Sequence, residues 1–419
     1  MTMIIAGTFS LLAVVAQDTV ITLQKCLELA EINNPIRDQA EYYGSSSELK
    51  VKNLNKNYLP DMNINGDAHY QSAVTEVPTV FAAFAPEPLS NDWYKINFDV
   101  SQLIWDGNAT RRSKEVENID NEINQQTVGI NMYAIKEKVT NTYFAIMAMK
   151  ENKALLELQK QTLEAQLKDV ESGVRNGVLL ASNAEILQAE VLKIGQRIDE
   201  TEIAIESGYR ILSILVGQEI TPDTKLDMTS PDVVPVLNGT DRLEYGLFSL
   251  QEQKTESLKK LSTTRLLPKF AAYGEAGYGR PGLNMLVNQF DDYYIVGVKL
   301  SWNFWNWNRT KNDKSILDLN RSIIASNQDA FTQSLSIQLE QKQSEIDRYS
   351  KLIEKDQEIA DIRVSVMNTY SSQLKNGVIT STEYITELRS ETEALLNLKI
   401  HQVQLVRAKY DYLATAGKL

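Results

Sequence analysis

Lys375-Asn376-Gly377-Val378-Ile379-Thr380-Ser381-Thr382-Glu383 has a near-copy 200 positions earlier, Arg175-Asn176-Gly177-Val178-Leu179-Leu180-Ala181-Ser182-Asn183. The same offset aligns Ser101, Trp105 and Asn108 with Ser301, Trp305 and Asn308, and Gly217 with Gly417. An offset held from residue 101 to residue 217 reads as an internal duplication. Each copy of the stretch separates two long helical patterns, so each marks the tip of a helical hairpin.

Outward from the tips, the apolar positions keep helical spacing. Ahead of the first tip they recur as Leu156, Leu163, Leu167, Val170 and Val174, and after it as Leu187, Val191, Ile194 and Ile198. Between Ala109 and Ser172 there is no proline and one glycine, Gly129; Lys311 to Lys375 has neither. At 1.5 Å per residue each run predicts a rod of roughly 95 Å. The returning helices are about half as long.

Two stretches in each half change period. Asp61-Met62-Asn63-Ile64-Asn65-Gly66-Asp67-Ala68-His69-Tyr70 alternates polar with apolar or small residues, as does Tyr94 to Ser101. That period of two belongs to strands with one wet and one dry face. In the second half the pattern returns after Leu267-Pro268, as it did after Leu59-Pro60, with Tyr294, Val296, Val298, Leu300 and Trp302 on one face. The expected fold is mainly α with a small β part. It divides into a signal peptide over residues 1–16, a first repeat over 17–217 with a β-hairpin over 61–105, a linker over 218–241, and a second repeat over 242–419 with a β-hairpin over 269–305.

Residues 3–16 form an apolar run too short to span a bilayer as a helix but suited to a secretory leader. The net charge of −12 repels phosphate backbones and argues against nucleic acid as a partner. One cysteine and two histidines, His69 and His401, supply no disulfide, zinc cluster or histidine-based catalytic group, so no enzyme, cofactor or metal site is expected. Cys26 shares a helical face with Leu23, Leu27 and Ala30 and is read as a core thiol. Gly274, Gly277 and Gly279 fall in a strand pattern and are read as sheet packing rather than a phosphate loop.

Strands of about ten residues can cross an outer membrane when tilted. Four strands cannot close a barrel, and an open edge in lipid leaves backbone groups unsatisfied, so several copies must share one barrel. Tyr70, Trp93, Trp105, Tyr294, Trp302 and Trp305 fall at strand ends, as an aromatic girdle requires. Asp61, Asn63, Asn65, Asp67, Lys95, Asn97 and Asp99 are expected to line water in the lumen.

Taken together, the leader, the Leu-Pro break before each strand pair, the duplicated halves and Asn-Gly-Val at both tips resemble the TolC-type outer-membrane efflux channels. The resemblance covers the chain after the leader. It implies a homotrimer with a twelve-stranded barrel in the outer membrane of a Gram-negative bacterium and a twelve-helix periplasmic tunnel. It further implies a passive conduit in a tripartite efflux or type I secretion system, with a periplasmic adaptor docking on the tips and an inner-membrane pump. Matched to the family's tip motif, Gly177, Val178 and Ser182, with Gly377, Val378 and Thr382, become adaptor contacts, and Glu383 becomes a gate residue. Ser182 and Thr382 are also expected to cap the returning helices. The alternative from another class is a periplasmic adaptor or coiled-coil scaffold, which would share the helical hairpins but not paired membrane strands.

Overall fold

The computed structural model describes residues 20–75, 89–233 and 241–419. The expected leader and the prolines at 78, 86, 88 and 235 lie outside the described residues. The order is β1 (Val20–Ile21), α1 (Leu23–Asn33), α2 (Asp38–Asn55), β2 (Asp61–Tyr70), β3 (Asp92–Trp105), α3 (Ala109–Arg175), α4 (Ala181–Val216), β4 (Lys225–Leu226), α5 (Leu243–Thr263), β5 (Lys269–Arg280), β6 (Asp291–Ser301), α6 (Arg309–Lys375) and α7 (Ser381–Thr415). As expected, the chain is chiefly helical with a small sheet part. α3 and α6 are both 67 residues long, and their first and last residues stand at the 200 offset. Asn108 and Asn308, just ahead of them, share a left-handed backbone, with φ of 67° and 61°.

Two compact units are formed. One takes the chain up to Asp38, Val128–Leu243 and Ala330–Leu419; the other takes Gln39–Thr127 and Glu244–Asp329.

The first unit holds two apolar cores. In one, Leu23, Cys26, Leu27 and Ala30 of α1 pack with Val139, Tyr143 and Ile146 of α3 and with Tyr209, Leu212 and Val216 of α4. Cys26 is fully buried, and burial pushes its thiol up to about 12, so it is an inert core residue. The linker, which carries no strong pattern in the sequence, supplies β4, and β4 pairs in parallel with β1. The Tyr143 hydroxyl lies 2.9 Å from the Ile21 carbonyl oxygen and 2.7 Å from that of Asp227, joining both short strands to α3. Two-residue strands hold few ladder bonds of their own, so Tyr143→Phe is expected to cost about 1–2 kcal/mol. The check is faster amide exchange at residues 20–21 and 225–227 with the helices unaffected.

The second core joins the two hairpins. Leu156, Leu163 and Val170 recur at steps of seven on α3, Leu187 and Ile194 on α4, and Met367 and Leu374 on α6; all are buried, with Tyr384, Ile385 and Leu388 of α7. Heptad spacing keeps these side chains on one seam.

The second unit carries one sheet in the order β2-β3-β5-β6, each pair antiparallel. β3 pairs with β5 and so joins the hairpin of the first half to that of the second. β2 and β6 are the edges.

Candidate functional site: the sheet faces and the helical tips

The register resolves the two faces of the sheet. Asp61 opposes Ser101, Asn65 opposes Asn97, Asp67 opposes Lys95, and Asp99 opposes both Asn63 and Glu275. Side chains alternate along a strand, so these residues share one polar face. Met62, Ile64, Phe98, Val100, Val296 and Val298 stand on the other. On the polar face Lys95 Nζ lies 2.8 Å from Glu275 Oε1, the Tyr293 hydroxyl donates to the same oxygen at 2.8 Å, and Asn97 donates to Asp99 at 2.7 Å. All seven expected lumen residues fall on this face, and Tyr273 and Glu275 join them from β5. Glycine serves the sheet by close approach: a Cβ at Gly297 would come within 2.8 Å of the Tyr273 ring, which lies across that position.

The aromatic residues divide between the faces. Tyr70 and Tyr294 lie on the apolar face and are three-quarters exposed. Trp105 follows a register shift between Leu103 and Trp105. That bulge turns Trp105 onto the apolar face, where its ring packs 6.0 Å from Phe270. Trp93 departs from the expected girdle. It opposes His69 on the polar face, with ring centroids 5.7 Å apart, and its indole N–H donates to the Ser90 carbonyl. Trp302 and Trp305 follow β6 and are exposed.

At the helical tips the backbone repeats almost bond for bond. Gly177 has φ of 73° and Gly377 of 70°, a conformation that penalises any Cβ. Gly177 N–H donates to Val174 O and Val178 N–H to Gly173 O; Gly377 donates to Leu374 O and Val378 to Gln373 O. This is a Schellman closure of both long helices. Val178 and Val378, which follow the glycines, are 71% and 70% exposed, so each tip presents a bare apolar side chain.

Capping differs from expectation. The residue before α4 is Leu180, which makes no side-chain cap, and the residue before α7 is Thr380. Ser182 and Thr382 sit within the first turn, two positions past the cap and too late to bond its free amides, and both are exposed. Thr380 forms a full capping box: its hydroxyl accepts from the Glu383 amide at 3.3 Å, and its own amide donates to Glu383 Oε2 at 2.7 Å. Glu383 therefore completes a cap. The Thr380 backbone bond and then its hydroxyl bond hold the carboxyl below the usual carboxylate range. A depressed pKa contributes stability above the unfolded value and loses it as pH falls through the folded one. Glu383→Ala is expected to speed amide exchange in the first turn of α7 at neutral pH. In the native chain the same turn is expected to loosen only on acidification below about pH 4.

Polar links between the two hairpins surround this tip. Arg389 of α7 grips Glu190 of α4 through Nε to Oε1 at 2.9 Å and NH2 to Oε2 at 2.5 Å, and the Glu190 side chain is only 9% exposed. Lys375 pairs with Asp169 at 2.9 Å, and the Ser381 amide donates to Asn183 at 3.4 Å. Within the second hairpin, Arg363 of α6 pairs with Glu387 of α7 at 2.8 Å. Pairing the charges individually was out of reach of sequence reading. Glu190 carries a signal nonetheless, as a lone acid between Leu187 and Ile194 on an apolar stripe.

Long helical hairpins together with a four-stranded sheet that has one polar and one apolar face are the fold of the outer-membrane efflux channels. Among solved structures the chain is similar to the outer membrane protein VceC of Vibrio cholerae, with TM-score 0.69 and 13% identity over 94% of this chain and 96% of that one. It is similar also to the CmeC outer membrane channel of Campylobacter jejuni, with TM-score 0.69 and 12% identity over 94% and 85%. The open-state MtrE outer membrane channel of Neisseria gonorrhoeae gives TM-score 0.67 and 15% identity over 95% and 89%. No family model and no curated protein matches the chain. Among the described residues no helix is long and apolar enough to cross a membrane.

Proposed function

We propose that this chain is the outer-membrane channel of an efflux or type I secretion machine of a Gram-negative bacterium. Three copies would close their four-stranded sheets into a twelve-stranded barrel, and their helices would form a periplasmic tunnel. The observation that carries this reading is the two-faced sheet with free edges at β2 and β6. In water an exposed face bearing Ile64, Phe98, Val296 and Val298 would be an aggregation hazard, whereas in lipid it is the outward wall. The recurrence of helices and turns at the 200 offset supports an origin by duplication.

In this reading the channel is a passive conduit, and Asp61, Asn63, Asn65, Asp67, Lys95, Asn97 and Asp99 line its lumen. Tyr70, Trp105, Tyr294, Trp302 and Trp305 meet the membrane interfaces. The tips at Gly177–Val178 and Gly377–Val378, with Ser182 and Thr382 beside them, receive a periplasmic adaptor that couples to an inner-membrane pump. Glu383, repeated three times around the axis, contributes negative charge at the tunnel end and favours cations there. The test is reconstitution of the purified protein into a planar bilayer. Discrete conductance steps selective for cations are expected. A chain that washes off membranes with alkaline carbonate and gives no conductance would sink the channel and leave a scaffold.

A further inference from the structure

The sheet edges carry a register that can be read from the chain itself. Asp61 opposes Ser101 in the first hairpin and Lys269 opposes Ser301 in the second, so β3 maps onto β6 by 200 positions and β2 onto β5 by 208. The junction between the halves is β3 against β5, with Ser101 opposite Tyr273 and Asp99 opposite Glu275. Its counterpart is β6 against β2, a pairing one chain cannot make with itself because these are the two edges of a single sheet.

We propose that β6 pairs antiparallel with β2 of a second copy in the register that this mapping transfers: Ser301 opposite Asn65, Lys299 opposite Asp67, and Trp302 opposite Ile64. The inference rests on the closed-barrel reading and adds to it which residues meet. Three observations support it independently of the mapping. The transferred register keeps the faces consistent, since Asn65 and Asp67 meet Ser301 and Lys299 while Ile64 and Ala68 meet Trp302 and Val298. A one-residue slip would exchange every face. Slips of two residues keep the faces but set Lys299 opposite Asn65 or His69, so among these registers the transferred one sets this lysine directly opposite an acid.

The third observation is strand length. β3 continues to Trp105 because residues 102–105 are paired by β5, whereas β6 stops at Ser301, short of the equivalent Trp305. The missing stretch is the one whose partner would come from the second copy. Pairing extends β6 through Trp305, and a bulge at the position equivalent to that in β3 turns this tryptophan onto the apolar face opposite Met62. The exposed indoles of Trp302 and Trp305 are then the lipid-facing side of the seam between copies.

The test uses full-length chain in isolated outer membranes, carrying Asp67→Cys together with Lys299→Cys, treated with a mild thiol oxidant. Cys26 is fully buried and is left in place. Directly opposed positions satisfy disulfide reach better than diagonal ones. Most of the monomer band is expected to convert to reductant-sensitive dimer and trimer bands. Two variants shifted by two residues, Asp67→Cys with Ser301→Cys and Asn65→Cys with Lys299→Cys, are expected to convert several-fold more slowly. Fastest conversion in a shifted pair would overturn the register while leaving the barrel standing. No conversion in any pair, with an amine cross-linker also trapping only monomer, would overturn the barrel and the register together. A charge change on β6 gives a second readout, since Lys299 faces the uncharged Ala271 within its own chain: Lys299→Asp is expected to lose heat-resistant trimer and Lys299→Arg to keep it. Trimer unaffected by Lys299→Asp would count against the pairing.

Discussion

Leu374→Ala is expected to loosen the tip of the α6–α7 hairpin by about 3 kcal/mol. Leu374 is fully buried, and it lies three residues before Gly377, in the core where both hairpins meet. Truncation removes apolar contact and leaves a cavity between helices that are too long and too regular to collapse onto it. The cost is local, because the rest of α6 is held by other seams. Local opening therefore carries the effect, and the melting temperature of the whole particle moves little. Amide exchange should rise sharply over residues 363–385 and over the facing turn at 176–183, and stay unchanged in β2 to β6. Uniform exchange across the chain would show that the tip is not a separable element.

Arg389→Met carries the second large effect. It leaves the Glu190 carboxylate enclosed without its counter-charge, and a buried charge stripped of its partner is costly. The Arg389 side chain is half exposed, so water replaces part of what is lost, and about 2 kcal/mol is expected rather than the full penalty of a deep pair. The link joins the two returning helices, so its loss should part the hairpins at the tip. In the channel reading this appears as larger single-channel conductance. Glu190→Gln with Arg389→Met is expected to recover most of the stability without recovering the closed conductance, because neither charge then remains to be satisfied. Unchanged conductance in both variants would remove this pair from control of the tip.

The long helices are readable because 67 residues without a proline, followed by Asn-Gly-Val, leave little else for the chain to do. The polar and apolar faces of β2 and β3 were readable for a similar reason, since period-two alternation survives without knowledge of the partner. The face that Trp93 takes is not legible in the sequence, because strand ends look alike until the register sets parity. The register is also what brings Trp105 to the apolar face, through a bulge that leaves no local signature. The cap at Thr380 is legible in the sequence, because Thr380-Ser381-Thr382-Glu383 is the capping-box pattern itself, with Thr380 rather than Thr382 in the cap position. The pairing of β1 with β4, and of Glu190 with Arg389, joins residues about 200 positions apart with no periodic trace. Contacts of that kind are set by how long helices lie together, which no local pattern encodes.

Electron imaging of the full-length protein, purified from outer membranes in detergent, tests the central claim most directly. Particles with three-fold symmetry, a detergent belt at one end and a hollow helical stem are the expected result. A monomeric rod without a detergent belt would contradict the account.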